Sequence, residues 1–277
     1  MPISGTTSVY CIFGNPVKHS FSPLIHNASF QELGINGAYV PFEVTDIETA
    51  VKSVKALGIK GVSVTIPFKI SVMPFLDELT PLAKNIEAVN TLFWKDGKLM
   101  GHNTDGLGAL KALKEKTEIK GKKILILGCG GASRAIAMTL SSEKPQVIGV
   151  TEIDEAKGKI FAKEIQEKTG TEARYLSSVK GFDYDILINT TPLGMHPHED
   201  KMPLKESEIL ENRIVFDIVY NPKETLLLKK ARGKNCEIIY GYKMLLYQGM
   251  EQFKIWTSQD APESLMEKIL TDLLPKG

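Results

Sequence analysis

A run of apolar residues that ends in a glycine cluster constrains the fold of this chain more than any other feature. Residues 122–127 read Lys-Lys-Ile-Leu-Ile-Leu, and Gly128, Gly130 and Gly131 follow before a helical run over 135–140. A continuous apolar run is typical of a parallel strand that is covered on both faces. A strand, a glycine turn and a helix in that order predict the start of a doubly wound α/β sheet.

Similar runs on both sides of this segment predict two α/β domains, and 277 residues are enough for two domains of ordinary size. The strands expected after the glycine cluster are 146–151, 184–189, 214–219 and 237–239. The strands expected before it are 9–13, 38–42, 61–64 and 91–94, with helices at 23–33 and 46–57. Ser22 and either Thr45 or Asp46 are the expected N-caps of those two helices. The final segments, 244–256 and 263–273, have helical spacing and no strand.

The glycine cluster has the residue types that a dinucleotide pyrophosphate requires. Gly128 permits a tight turn, Gly130 lets the backbone approach the phosphates, and the helix N-terminus supplies amide donors. Ser133 stands where a third glycine is common, and it is small enough for close packing of helix on strand. A strand-to-helix turn that only needs glycine for a positive φ is the alternative. The placement between strand and helix favours a dinucleotide site.

Two acidic residues follow the second predicted strand of this domain. Glu152 lies 152 − 128 = 24 positions after the first glycine, close to the spacing of the carboxylate that holds the adenosine ribose. Such a carboxylate favours NAD, because a 2′-phosphate would bring further negative charge beside it. The alternative is that these acids cap the next helix, and Asp154 suits that role.

Composition and charge exclude several classes of function. The chain has 34 basic and 33 acidic side chains and a net charge of +1, so no overall field attracts nucleic acid or anionic lipid. Its three cysteines are odd in number and fit a reducing compartment. The first residues lack a signal-peptide pattern, and no apolar run reaches the roughly 18 residues of a membrane span. We therefore expect a cytoplasmic protein with neither a nucleic-acid nor a membrane partner.

The five histidines form no ligand pattern, and no metal is expected.

Four polar clusters in the first 108 residues lie where predicted strands meet turns or helices. The first contains Ser20 and Ser22, two hydroxyls beside a helix start that suit a carboxylate; capping by Ser22 is the alternative. The second follows a buried strand and presents Lys69, whose ammonium can donate to a substrate oxygen, although most lysines are simply solvated. The third and fourth contain Asn90 and Asp105, which offer hydrogen-bonding groups to a ligand or serve only as turn or cap residues.

In order, spacing and residue type the four clusters resemble the shikimate dehydrogenase family. The resemblance continues through the glycine cluster, 189–195, 217–222 and the segment from Gly241 to Thr257, so it covers nearly the whole chain. It implies an NAD(P)-dependent, reversible reduction of 3-dehydroshikimate to shikimate in the chorismate route to aromatic amino acids. It also implies a catalytic pair, Lys69 and Asp105. The substrate-binding residues that it implies are Ser20, Ser22, Thr65, Asn90, Tyr220 and Gln248. The cofactor-binding residues are Gly128, Gly130, Gly131, Ala132, Ser133, Arg134, Glu152, Thr190 and Gly241.

The family resemblance also implies a domain division. Residues 1–104 with 241–277 would form the substrate-binding catalytic domain, and residues 105–240 the Rossmann-like NAD(P)-binding domain. The C-terminal helices would return to the first domain, and the protein would be a monomer or a homodimer. NADP-using members typically have Asn-Arg-Thr or a similar sequence after the second strand, where this chain has Glu152-Ile153-Asp154. The family thus favours NADP, whereas the acidic residues favour NAD.

Two other functions remain open from the sequence. Quinate dehydrogenase, or a dual quinate and shikimate enzyme, is the nearest alternative, and the acidic ribose segment makes it more plausible. A cofactor-binding regulator without catalysis is a remote alternative. Retention of both Lys69 and Asp105 argues against it, because a regulator would need only the glycine cluster.

Overall fold

The structure, a computed structural model, describes residues 2–274. The chain separates into two compact units. The first comprises the residues up to Thr104 together with Gln248–Thr271, and the second comprises Asp105–Tyr247 and the residues from Asp272. The domain ranges expected from the sequence stay a prediction, and their residues 1 and 275–277 lie outside the described part. Within residues 2–274, no helix combines the length and the apolar character needed to cross a membrane.

The first unit is built on a six-stranded mixed sheet. Its strands are β1 (Ser8–Gly14), β2 (Gly37–Glu43), β3 (Gly61–Val64), β4 (Glu78–Leu79), β5 (Thr91–Lys95) and β6 (Lys98–His102). Its helices are α1 (Ser22–Glu32), α2 (Ile47–Leu57) and α3 (Pro81–Ile86), and a short 3-10 turn covers Met73–Phe75. The strand order is β2-β1-β3-β5-β6-β4, with β1 parallel to both β2 and β3, and β5 antiparallel to β3 and β6.

The second unit has a six-stranded sheet in the order β12-β11-β10-β7-β8-β9, in which every pairing is parallel. Its strands are β7 (Lys123–Leu127), β8 (Val147–Thr151), β9 (Ala173–Tyr175), β10 (Ile186–Asn189), β11 (Ile214–Asp217) and β12 (Glu237–Ile239). Its helices are α4 (Asp105–Lys114), α5 (Gly131–Ser141), α6 (Glu155–Thr169) and α7 (Leu226–Arg232), with a short 3-10 turn at Glu206–Glu208. This order confirms the doubly wound sheet predicted from the glycine cluster.

Two C-terminal helices complete the described chain. α8 (Gly241–Thr257) has its first seven residues in the second unit and the remainder, from Gln248, in the first. α9 (Glu263–Leu273) agrees with its predicted range. On α8 the side chains of Gln248, Gln252 and Trp256 recur every four residues and therefore share one face of the helix.

Local sequence explains where the helices begin and end. Asp46, one of the two predicted candidates, is the N-cap of α2, and its carboxylate accepts from the amides of Glu48 (3.0 Å) and Thr49 (3.3 Å). Gly58 ends that helix in the left-handed conformation at φ 66°. Glycine adopts the left-handed conformation without steric strain, because it has no Cβ.

The prediction that Ser22 is the N-cap of α1 is wrong. Phe21 occupies that position, and Ser22 and Pro23 are the first two helical residues. The physical reason is the Ser20 hydroxyl, which accepts a hydrogen bond from the Ser22 amide at 3.2 Å and so satisfies the donor that opens the helix. The Ser22 side chain, 4% exposed, is consequently free of the capping role.

Candidate functional site

The polar clusters of the first unit meet at one edge of its sheet. Because β1 and β3 are parallel and β5 runs opposite to β3, the segments after β1 and β3 lie at the same edge as the segment before β5. β6 runs opposite to β5, which brings the segment after His102 to that edge too. Backbone bonds link the clusters directly: Asn15 N donates to Ile66 O at 3.0 Å, and Asn90 N donates to His102 O at 3.0 Å.

Ser20 and Ser22 are adjacent in this edge. The Ser20 side chain is half-buried, whereas Ser22 is buried near the phenol of Tyr39. The Tyr39 hydroxyl donates to Ser63 Oγ at 2.7 Å. Complete burial raises the pKa of Tyr39, so the phenol stays protonated and available as a donor.

Thr65 and Lys69 follow β3 in a tight series of turns. Thr65 N donates to Phe13 O at 2.9 Å, and a side chain at Gly14 would collide with the Thr65 methyl group. Gly14 is therefore needed for the close approach of the two segments. The Lys69 carbonyl accepts from Val89 N at 2.8 Å, which ties its turn to the segment that leads into Asn90. The Lys69 side chain is half-buried.

Asn90 is 2% exposed, and its side-chain amide is held on both sides. Its Oδ1 accepts from Thr104 N at 2.8 Å and from Thr91 Oγ1 at 2.7 Å. Its Nδ2 donates to Thr104 Oγ1 at 3.0 Å and lies 3.5 Å from Gln248 Oε1. The structure thus brings two of the predicted substrate residues, Asn90 and Gln248, side by side within the first unit.

A buried network behind this edge was not anticipated from the sequence. Ser63 Oγ donates to Gln252 Oε1 at 2.8 Å, and Gln252 Nε2 donates to Asn90 O at 3.1 Å and Thr91 Oγ1 at 3.0 Å. Gln252 therefore connects the Tyr39–Ser63 pair to Asn90. Its position one helical turn after Gln248 is a signal that sequence reasoning could have used, because both amides must share a helix face.

The glycine cluster of the second unit follows β7, which lies between β10 and β8. β8 and β9 lie on one side of β7, and β10, β11 and β12 lie on the other, so the strand order reverses at β7. This reversal is the topological switch point, where sheets of this type bind ligands. Gly128 has φ 97°, a conformation that favours glycine. Gly130 is the N-cap of α5 with no side-chain cap, and side chains at Gly130 or Gly131 would meet nothing within 4 Å.

Open space in front of an uncapped helix N-terminus fits a dinucleotide pyrophosphate, for which the backbone amides are the donors. Ser133, the small residue at the third position of the glycine motif, is buried and donates to Gly128 O at 2.6 Å. This bond holds the glycine turn against α5. Ala132 lies in the first turn of α5 and is half-buried. Arg134 pairs with Glu164 on α6, with Nη1 and Oε2 2.5 Å apart, and packs over the Phe161 ring.

Glu152 follows β8 and reaches the glycine cluster. Its Oε2 accepts from both the amide and the thiol of Cys129, each at 3.1 Å, and its Oε1 accepts from Ile153 N at 2.8 Å. Burial alone would raise the pKa of Glu152, but these hydrogen bonds outweigh it and hold the pKa below its ordinary value. Asp154 has a different role: it is the N-cap of α6 and accepts from Lys157 N at 3.2 Å. The capping alternative is thus correct for Asp154.

Thr190, Tyr220 and Gly241 lie at the same carboxyl edge of the second sheet. Thr190 follows β10, and a side chain at Gly128 would lie 3.0 Å from its hydroxyl. Tyr220 follows β11, and burial raises the pKa of its phenol. Gly241 opens α8 against the carbonyls of Ile218 and Val219, where any side chain would collide with backbone oxygen. Asp105, the first residue of α4, is 6% exposed and also belongs to this unit.

The second unit, with a glycine turn at the switch point of a parallel sheet, defines a dinucleotide-binding α/β protein of the Rossmann type. Family models match the chain at residues 12–92, the shikimate dehydrogenase substrate binding domain, and at residues 241–271, the shikimate 5′-dehydrogenase C-terminal domain. The chain belongs to the shikimate dehydrogenase family.

Relatives and solved structures agree with this assignment over the full chain. A shikimate dehydrogenase (NADP(+)) of Methanobrevibacter smithii is 47% identical over 98% of this chain and 99% of its own length. A crystal structure of a shikimate dehydrogenase in complex with NADP+ is 41% identical, has a TM-score of 0.94, and covers 99% of this chain and 98% of its own. A shikimate 5-dehydrogenase of Listeria monocytogenes in complex with shikimate and NAD is 33% identical, with a TM-score of 0.91 and coverage of 98% of both chains.

Proposed function

We propose that the protein catalyses the reversible, NAD(P)-dependent reduction of 3-dehydroshikimate to shikimate. The observation that carries the proposal is the polar edge of the first unit, where two adjacent serines, a threonine, a lysine and the paired amides of Asn90 and Gln248 follow one another around one sheet edge. A hydroxylated ring with one carboxylate requires such a set of donors and acceptors.

Each polar residue of the first unit has a proposed part in binding. Ser20 and Ser22 donate their hydroxyls to the substrate carboxylate, and the bond from the Ser22 amide to Ser20 Oγ holds the two residues side by side. Thr65, Asn90 and Gln248 bind the ring hydroxyls. The amide of Asn90 is already oriented by Thr104 and Thr91, so little entropy is lost when it binds a ligand. Tyr220 is proposed as a further substrate ligand.

Lys69 is the proposed proton donor and acceptor of the reaction. The nicotinamide cofactor, when bound, supplies or accepts the hydride at the ring carbon. In the direction of reduction, the Lys69 ammonium donates a hydrogen bond and then the proton to the oxygen on which negative charge develops. In the direction of oxidation, the neutral amine takes that proton back. Asp105 accepts a hydrogen bond from the substrate hydroxyl and is the second member of the catalytic pair.

The second unit holds the dinucleotide. The amides at Gly130, Gly131 and Ala132 bind the pyrophosphate, and Glu152 accepts from the adenosine ribose hydroxyls. We propose NAD as the favoured cofactor, because Glu152 is ionised next to the glycine cluster. The neighbouring cations are already paired, Arg134 with Glu164 and Lys157 with Asp154. A cytoplasmic location, a monomeric or dimeric state and activity without a metal stay predictions of the sequence.

The function is tested with the purified full chain. Shikimate is incubated with NAD+ or NADP+, formation of the reduced nicotinamide is followed by absorbance, and 3-dehydroshikimate is identified by mass spectrometry. The variants Ser20→Ala and Ser22→Ala are each expected to raise KM for shikimate about tenfold, the value of one hydrogen bond to a charged group. Ser53→Ala, which alters a serine on α2 whose hydroxyl donates to Thr49 O in the same helix, is the control. Absence of turnover with both cofactors would refute the proposal.

A further inference from the structure

A buried carboxylate lies directly beneath the edge of the second sheet. Asp217, the last residue of β11, is 0% exposed. Its Oδ1 accepts from Asn189 Nδ2 at 2.9 Å and from Val219 N at 3.0 Å, and its Oδ2 accepts from Thr225 Oγ1 at 2.7 Å. All three donors are uncharged, so this carboxylate is held by hydrogen bonds instead of by a cation.

The charged groups on and just before α7 have other surroundings. Glu224 pairs with Arg232 at 2.8 Å and Lys230 with Glu206 at 2.8 Å, Lys223 lies over the rings of Tyr240 and Tyr242, and Lys229 is exposed. Neither β10 nor the segment after β11 presents a charged group to the carboxylate; they present Asn189 and the Val219 amide. Burial therefore raises the pKa of Asp217 to about 6, although its hydrogen bonds act in the opposite direction. Such a group lowers stability near neutral pH relative to a neutral side chain of the same shape.

On one side, Asp217 sets the turn that follows β10. Because Asp217 accepts from Nδ2 of Asn189, the Oδ1 of that amide faces the turn, where it accepts from Thr191 N at 2.9 Å and Thr191 Oγ1 at 2.8 Å. The same turn carries Thr190, which packs against Gly128. The orientation of one amide thus determines how the segment after β10 meets the glycine cluster.

On the other side, Asp217 sets the segment that follows β11. Its bond to the Val219 amide fixes the backbone immediately before Tyr220, and its bond to Thr225 fixes the start of α7. The carbonyls of Ile218 and Val219 are also the surface against which Gly241 packs. One carboxylate therefore joins the three segments that contain Thr190, Tyr220 and Gly241.

We propose that Asp217 is a positioning residue for dinucleotide binding: its ionised carboxylate holds Asn189, Val219 and Thr225 so that the segments after β10 and β11 keep the shape that the cofactor requires. This inference rests on the proposed function. Protonation at Oδ2 makes Asp217 a donor to Thr225 Oγ1, whose own proton must then turn away, and it removes the negative charge that strengthens the bonds from Asn189 and Val219 to Oδ1. Protonation therefore loosens both segments, and affinity for the dinucleotide falls on the acid side.

The test measures NAD+ binding to the full chain by titration calorimetry. For Asp217→Asn we expect affinity about tenfold weaker than in the wild type at about pH 7.5, and a loss of the decline that the wild type shows towards about pH 5.5. Its urea midpoint at neutral pH should be no lower than that of the wild type, because the buried charge is gone. Asp185→Asn is the control, because Asp185 accepts from Lys123 N at 2.8 Å near the amino end of β10. The NAD+ affinity of this variant should equal that of the wild type.

A second variant tests the same idea without altering the carboxylate. Thr225→Val removes a donor that lowers the pKa of Asp217, so the acid decline of NAD+ affinity should move to higher pH, and Thr225→Ser should restore the wild-type profile. Unchanged NAD+ affinity in Asp217→Asn, or an acid decline that does not move in Thr225→Val, would overturn the inference. If wild-type protein binds neither NAD+ nor NADP+, the proposed function itself fails, which is a different result.

Discussion

The Glu152 carboxylate accepts hydrogen bonds from both the amide and the thiol of Cys129, at 3.1 Å each, and so joins the end of β8 to the glycine cluster. The two residues are 23 positions apart in the chain. An anionic group fixed in this place is available to ribose hydroxyls and unfavourable for a 2′-phosphate. Burial and the bond to Glu152 together raise the pKa of Cys129 to about 12, so its thiol remains a donor to the carboxylate.

Replacement of Glu152 by alanine is expected to narrow the preference for NAD+ over NADP+ by about tenfold or more in kcat/KM, since it removes both the ribose acceptor and the repulsion. The measurement is kcat/KM for both cofactors at saturating shikimate. Glu155→Ala is the matched control, because Glu155 is exposed and pairs with Lys159 on the surface of α6. A wild-type enzyme that prefers NADP+ would contradict this account of the site.

Replacement of Lys69 by alanine is expected to lower kcat by about 100-fold with a smaller change in KM, because the interaction is strongest when charge develops on the reacting oxygen. Steady-state rates with shikimate measure both constants. Lys84→Ala serves as control, since Lys84 is an exposed lysine of α3 in the same unit. An unaltered kcat in Lys69→Ala would remove this residue from the chemistry.

His26 makes the first unit sensitive to acid. It is fully buried, neither ring nitrogen has a hydrogen-bond partner among the described residues, and it stacks on Tyr39 with ring centroids 4.6 Å apart. Burial lowers its pKa from 6.5 to about 3. The unfolded chain therefore binds a proton between these values that the folded chain does not. The contribution of the neutral His26 ring to the free energy of unfolding is therefore complete above pH 6.5 and declines below it.

The free energy of unfolding should then fall by up to about 1.4 kcal/mol for each pH unit below the ordinary histidine pKa. His26→Phe keeps an aromatic ring at this position and should reduce that slope, which urea unfolding at several pH values measures. Asp217 contributes with the opposite sign as its carboxylate protonates, so the difference between variant and wild type is the informative quantity. His19→Gln, at an exposed histidine, is the control. Equal slopes in His26→Phe and wild type would show that His26 does not set acid stability.

Gly241→Ala is expected to weaken dinucleotide binding and to lower stability by about 1–3 kcal/mol, since the added carbon meets two backbone oxygens that cannot turn away. Calorimetric binding of NAD+ and urea unfolding measure the two effects. Gly233→Ala is the control: Gly233 has φ −62°, and its added carbon would lie in ordinary contact, 3.4 Å from Lys230 O. If both variants behave alike, the close approach at Gly241 has no role.

Much of the fold was predictable because apolar runs mark buried strands. The ranges of β3, β12 and α9 agree with the prediction, and the other predicted strands differ by up to two residues at either end. β4, β6 and β9 were missed for physical reasons. β4 has only two residues, β9 has only three, and β6 contains a glycine and two basic residues, so none of them shows the apolar run of a covered strand.

The site was predictable in composition but not in arrangement. Sequence identifies polar residues at strand ends, yet strand direction decides whether Asn90 lies beside Thr65, and direction appears only once β5 is known to run opposite to β3. Asp217 illustrates the remaining limit. Asp217 lies inside the predicted strand 214–219, where the sequence does not show that the strand ends at this residue or that Thr225 and Asn189 donate to its carboxylate.

The decisive experiment is a set of four rates, shikimate and quinate each with NAD+ and NADP+, measured as kcat/KM on the same preparation. We expect the highest value for shikimate with NAD+, and a lower value for shikimate with NADP+ because of Glu152. Faster turnover of quinate than of shikimate would assign the enzyme to the quinate alternative, and no turnover of shikimate with either cofactor would refute the proposed function.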